Sequence, residues 1–232
     1  MADPAEPAVP AVPVSATRTR KVTHRQAALI LAEHDPVLAR LVKEAGLPRF
    51  PAPSESNFAT LVRSVVYQQL AGPAARAIHG RLIAALGEEV TPERLLATAP
   101  ETLRAAGLSA RKVESLCDLS DKVLVGSVVL DARRLGRVSD EEIVAQLSAV
   151  RGIGKWSAEI FLMFQLRRMD VWPTGDLAIR KGYGLAWGIP TPTPKVLDAL
   201  GEPYRPYRTV LAWYCWRAAQ LYGASAASAV TA

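Results

Sequence analysis

Cysteine is scarce in this chain: of 232 residues only Cys117 and Cys215 carry thiols, and they lie far apart in sequence. Two thiols cannot supply a four-cysteine iron–sulfur cluster or a structural zinc site. A reduced pair of small core residues is the expectation, ahead of a single disulfide. Long apolar runs are missing too. No stretch reaches the roughly 18 residues that a membrane-spanning helix requires, so a membrane is not expected among the partners. The opening MADPAEPAVPAVPVSATRTRK has no continuous apolar stretch behind a basic cap. That argues against a secretory signal and makes the cytoplasm, in association with the nucleoid, the expected location. Useful β-alternation and internal repeats are also absent. VGSVVL (125–130) is the one strand-like segment, and it reads better as a helix end plus connector.

What is present is an even globular mixture, half hydrophobic, with a formal charge of +6. Arginine outnumbers lysine 21 to 7. Guanidinium is the better bidentate phosphate ligand, and a basic balance fits a polyanionic partner. Many basic proteins bind nothing acidic, so charge alone decides little.

Residues 1–20 form an Ala/Pro-rich stretch with prolines at three-residue spacing (Pro4, Pro7, Pro10, Pro13). Such a stretch cannot be helical and has too little bulk for a core, so a disordered or polyproline-like tail is predicted. From Thr23 the pattern turns helical. Thr23 and Asp35–Pro36 are start signals for two helices, and Ser54 and Ser56 precede a third. That third helix places apolar residues at 58, 61, 62, 65, 66 and 70, a 3.6-residue period, before Gly72–Pro73 interrupts it. Further short helices start at Thr91–Pro92, Ala99–Pro100, Ser109 and Ser139. An all-α domain over 21–224, followed by a flexible C-terminus at 225–232, is the predicted organisation.

Two segments carry chemistry. In SAVRGIGKWSAEIFLMFQL a helix ends near Val150 and another begins at Gly154 or Lys155, with Arg151-Gly152-Ile153-Gly154 between them. Glycine permits the positive φ and close backbone approach of a tight hairpin. The second helix then offers unpaired N–H groups and its positive dipole end to a phosphate. Ile153 would plug the turn between the helices. An ordinary αα-turn has the same pattern, so the segment alone leaves DNA binding about even. Downstream, WPTGDLAIRKG places Asp176 at the start of another helix. There it reads as a plain N-cap, and equally as a carboxylate held ionised for a cationic transition state.

Together with FATLVRSVVYQQLAGPAA (58–75) and Arg205-Pro206-Tyr207-Arg208 through Trp216, these segments resemble the 3-methyladenine DNA glycosylase II family. That family lies within the helix-hairpin-helix, Gly/Pro-Asp superfamily of DNA glycosylases. The resemblance spans about residues 24–222. It implies a bilobal helical fold with the active-site cleft between lobes, and a monofunctional enzyme that excises 3-methyladenine, 7-methylguanine and related lesions. Double-stranded DNA with damaged bases is the implied partner, bound by a monomer. The base would be flipped out and its N-glycosidic bond hydrolysed.

By the same resemblance Asp176 is the catalytic carboxylate, and Trp156, Trp216 and Tyr67 border the base pocket. Gln69 is the side chain inserted into the duplex, with Gln68 an alternative of the same chemistry. Arg151, Gly152, Ile153, Gly154 and Lys155 form the phosphate-binding hairpin, with carbonyls of Val150 and Gly152 offered to a sodium or potassium ion. No other cofactor and no iron–sulfur cluster is implied. Trp172, Trp187 and Trp213 are assigned to core packing.

The nucleophilic lysine of bifunctional relatives would fall at Trp156. Lys155 lies about 100° away on the helix, so no lyase chemistry is expected. A non-catalytic hairpin module, or a glycosylase for another lesion, is the competing reading.

Overall fold

The computed structural model describes residues 22–229, and the predicted tail at 1–20 lies outside them. Among the described residues there are thirteen α-helices and no strand. The first six are α1 (His24–His34), α2 (Pro36–Ala45), α3 (Asn57–Tyr67), α4 (Gly72–Ala85), α5 (Pro92–Ala97) and α6 (Pro100–Ala105). Then come α7 (Ala110–Leu124), α8 (Ala132–Leu135), α9 (Asp140–Ser148) and α10 (Lys155–Phe164). The chain ends with α11 (Leu177–Trp187), α12 (Pro194–Gly201) and α13 (Arg208–Ala229). The helical backbone of α13 thus continues through 225–229, past the boundary drawn at 224.

Local chemistry starts most of these helices. Thr23, Asp35, Ser56, Thr91, Ser109, Asp131, Ser139, Asp176 and Thr193 each accept a backbone N–H of the helix they precede. Each such cap is worth about 1 kcal/mol. VGSVVL follows the end of α7 as a connector, as its sequence suggested.

The expected α3 is three residues too long. Phe58, Leu61, Val62, Val65 and Val66 are buried on one face, but the helix stops at Tyr67 and Leu70 is exposed. Gln69 adopts φ 57°, which a continuing right-handed helix cannot accommodate. Gly72–Pro73, read as a breaker, instead begins α4, with Pro73 in the first turn where its missing N–H costs nothing.

Packing sorts the helices into two groups. In one, α3 to α7 pack on one another and α10 joins α9 to α3; in the other, α1 and α2 pack with α13, which also carries α11. A continuous core joins the groups, from Leu38 and Leu41 through Val62 and Leu116 to Tyr214 and Cys215. Gly182 makes the α11–α13 contact close: a Cβ there would overlap the carbonyl oxygen of Cys215. The first residue before α11 is therefore seated against the middle of α13, and this brings Asp176 to Trp216. No described helix is long and apolar enough to cross a membrane.

Candidate active site and hairpin

The hairpin joins α9 to α10 and rests on α7. Gly152 has φ 77°, and a Cβ there would overlap the Ser115 hydroxyl, so the turn needs glycine for both conformation and space. Ile153 is buried and its N–H bonds the Val150 carbonyl at 3.1 Å. Gly154 caps α10 without a side chain, leaving the first N–H groups of that helix free of side-chain partners. Asp118 of α7 accepts the Arg151 N–H at 2.7 Å and also bonds the Lys122 ammonium. These two contacts, Lys122 first, hold its carboxyl below the ordinary carboxylate value. The Arg151 guanidinium pairs with Glu114 at 2.8 Å, and Lys155 is exposed, 3.7 Å from Glu159.

Twenty residues beyond the hairpin, Asp176 caps α11. One carboxylate oxygen, Oδ1, accepts the Ile179 N–H at 2.9 Å. The other, Oδ2, accepts two indole N–H groups, from Trp156 at 2.7 Å and from Trp216 at 3.3 Å. Three residues thus fix a half-buried carboxylate at the positive end of a helix dipole. Trp156 is 51 % exposed although its indole edge is tethered. One ring face of Trp216 stacks on Phe164 at 5.9 Å, and the stack continues through Phe50 to His24.

Beside this group lies a cleft of about 530 Å³ between α3, α10 and the 51–55 segment. Tyr67, Ser64, Ser157, Ile160, Phe161 and Phe164 are among its walls. Tyr67 therefore lines it. Trp156, Trp216 and Asp176 do not, though Ser157 and Phe164 connect it to them.

The two glutamines differ sharply. Gln68 Nε2 donates to the Gly152 carbonyl at 3.0 Å, whereas Gln69 is exposed and its side chain has no hydrogen-bond partner among the described residues. Both hairpin carbonyls predicted to face a cation accept one hydrogen bond, Gly152's from the Gln68 amide and Val150's from the Ile153 N–H. Trp172 is buried and bonds Leu197, Trp187 bonds Asp35, and Trp213 is partly buried, all in agreement with packing roles.

Sequence reasoning missed the α7 side of the hairpin: Lys112, Glu114, Ser115 and Asp118 carry no motif, and nothing local links them to residue 152. It also missed Glu159, which sits four residues after Lys155 and looks like half of a solvated pair. Its side chain is instead 9 % exposed. Burial pushes its carboxyl above the ordinary value, Lys155 opposes this, and the negative charge of Asp176 adds to it.

A family model described as HhH-GPD superfamily base excision DNA repair protein matches residues 62–206. DNA-3-methyladenine glycosylase 1 of Schizosaccharomyces pombe is 35 % identical over 201 residues, covering 84 % of this chain and 88 % of that protein. Among solved structures, the S. pombe 3-methyladenine DNA glycosylase in complex with abasic DNA superposes with a TM-score of 0.72 at 34 % identity. It covers 84 % of this chain and 97 % of that one. A DNA-3-methyladenine glycosidase from Bacillus halodurans gives a TM-score of 0.77 at 34 % identity, covering 85 % and 90 %.

Proposed function

The chain belongs to the HhH-GPD superfamily of base excision DNA repair proteins, and we propose that it is a monofunctional DNA-3-methyladenine glycosylase. The observation that carries this reading is the triple anchoring of Asp176 by Ile179, Trp156 and Trp216. A carboxylate fixed in this way is preorganised to face positive charge.

The reaction breaks the bond between C1′ and the base nitrogen. The electron pair goes to the base, which in an N3- or N7-alkylated purine already carries positive charge and leaves neutral without a strong acid. Asp176 stabilises the oxocarbenium-like sugar, and a water adds to C1′ as its proton passes to the carboxylate or to solvent. The damaged nucleotide is flipped from the duplex. Its base enters the cleft bordered by Tyr67, with the exposed face of Trp156 as a stacking platform for a cationic ring.

Gln69, exposed and unattached, is the side chain that fills the gap, and Gln68 is committed to the hairpin. Phosphates bind the N–H groups at Gly154 and the basic side chains Arg151 and Lys155. A bridging sodium or potassium ion would use the second lone pair of the Val150 and Gly152 carbonyls, which already accept from the Ile153 N–H and from Gln68. Trp156 stands where bifunctional relatives place their lysine, so the abasic product is left uncut. A monomer spans the lesion.

Release of free base from methylated duplex DNA tests the reading. Wild type should free methylpurines and leave intact abasic sites, while Asp176→Asn should bind duplex normally and lose roughly a hundredfold or more in rate. Strand cleavage by the wild type, or an active Asp176→Asn, would contradict it.

A further inference from the structure

The turn between α3 and α4 is held by more than its own backbone. Lys112, in the first turn of α7, sends its ammonium to the carbonyls of Val66 at 2.7 Å and Gln68 at 2.9 Å. Gln68 in turn donates its side-chain amide to the Gly152 carbonyl at 3.0 Å. Immediately after these ties comes Gln69, a non-glycine residue at φ 57°. Such a conformation is unfavourable and persists only where its surroundings over-determine it. Val66 and Gln68 supply carbonyls at the C-terminal end of α3, where a cation meets the negative end of the dipole. Partial burial lowers the Lys112 ammonium from its ordinary value. Two of its three donors are engaged by backbone carbonyls.

We propose that Lys112 and Gln68 are positioning residues for side-chain insertion into DNA: they hold Gln69 in its left-handed turn at a fixed distance from the phosphate-binding hairpin. The proposal rests on the glycosylase reading for its purpose, and on these contacts for its substance. With both ties in place, α3, α7 and the hairpin move as one body, so phosphate capture and insertion occur in register. Without them the turn relaxes, Gln69 leaves its aim, and the hairpin still binds phosphate.

The test compares Lys112→Met, Lys112→Arg, Gln69→Ala and the Lys112→Met/Gln69→Ala double variant. The probe is a duplex carrying 2-aminopurine opposite a tetrahydrofuran abasic analogue, whose fluorescence reports insertion. Wild type and Lys112→Arg should give the signal; Lys112→Met and Gln69→Ala should each lose most of it. In single-turnover excision from methylated duplex, Lys112→Met should be slower by roughly tenfold, and the double variant no slower than the slower single variant. The salt dependence of duplex binding should be unchanged.

Multiplicative losses in the double variant would overturn the proposal, because Lys112 would then act independently of Gln69. A flatter salt dependence in Lys112→Met would overturn it too, as the mark of a direct phosphate contact. Should thermal melting show Lys112→Met unfolded, Gln68→Leu, at a half-buried side chain, carries the same cycle through the second tie. The fluorescence arm needs no turnover: insertion without base release would spare this inference and sink the glycosylase reading.

Discussion

The hairpin and the Asp176 carboxylate sit only twenty residues apart, yet they are held in place by opposite means. The hairpin is an exposed turn fastened by polar ties to α7 and to the end of α3: Asp118 to the Arg151 N–H, Glu114 to its guanidinium, Gln68 to the Gly152 carbonyl. Asp176 is positioned by interdigitated packing, because Gly182 lets α11 lie against the backbone of α13 and so brings Trp216 within reach. Polar ties on a surface can be broken and remade as a phosphate arrives. In the role proposed for it, Asp176 needs a frame that does not yield, and a dry helix contact supplies one. Variants on the two sides should therefore fail in different ways.

The largest expected contrast is between two glycines. At Gly182 an added methyl meets the Cys215 carbonyl, and neither backbone can withdraw. Gly182→Ala should cost about 3 kcal/mol, lowering Tm by roughly 10 °C, with activity lost in proportion. At Gly154 a Cβ meets nothing within 4 Å and φ is −95°, so Gly154→Ala should melt like wild type. Thermal melts of both decide the matter: equal losses would erase the distinction between packed frame and tied turn.

Asp118 probes the hairpin side. Asp118→Asn should weaken duplex binding roughly fivefold while Tm barely moves, since it loosens the Arg151 amide without touching the core. The pH dependence has a definite sign. A carboxyl held below its ordinary value contributes its tie in full above about pH 4, the unfolded value, and loses it as pH falls through the folded one. The Arg151 amide proton, followed by NMR, should therefore shift in acid below about pH 4 in wild type and not in Asp118→Asn. A shift centred above the ordinary value would mean that Lys122 and Arg151 do not hold the charge.

How far the sequence disclosed these two regions follows from the same contrast. The helices were legible because periodicity and caps are local, as Thr23, Ser109 and Ser139 illustrate. The hairpin and Asp176 were legible because glycine and a capping carboxylate mark special backbone. The end of α3 was misplaced, because apolar Leu70 continued the period while the left-handed Gln69 that breaks it carries no glycine signature. Lys112 and Asp118 were invisible for another reason: the turns they fasten lie more than thirty residues away, and a charged residue of an amphipathic helix ordinarily faces water.

Glu159 gives the finest test, since it stands where the two regions meet. It shares α10 with the exposed Lys155, yet its own side chain is buried and feels the charge of Asp176. Burial raises its folded value, so the charged form is disfavoured in the native state. Stability is then greatest below the unfolded value of about 4.3 and declines as pH rises through the folded value. Glutamine imitates the neutral acid. Glu159→Gln should therefore match wild type near pH 4 and melt roughly 2 °C higher at pH 8, less whatever the exposed, solvent-screened Lys155 contributed. Melts of the two proteins at both pH values are the measurement. A lower Tm at pH 8 would show that Lys155 outweighs desolvation, and that Glu159 belongs with the tied surface of the hairpin and not with the packed frame around Asp176.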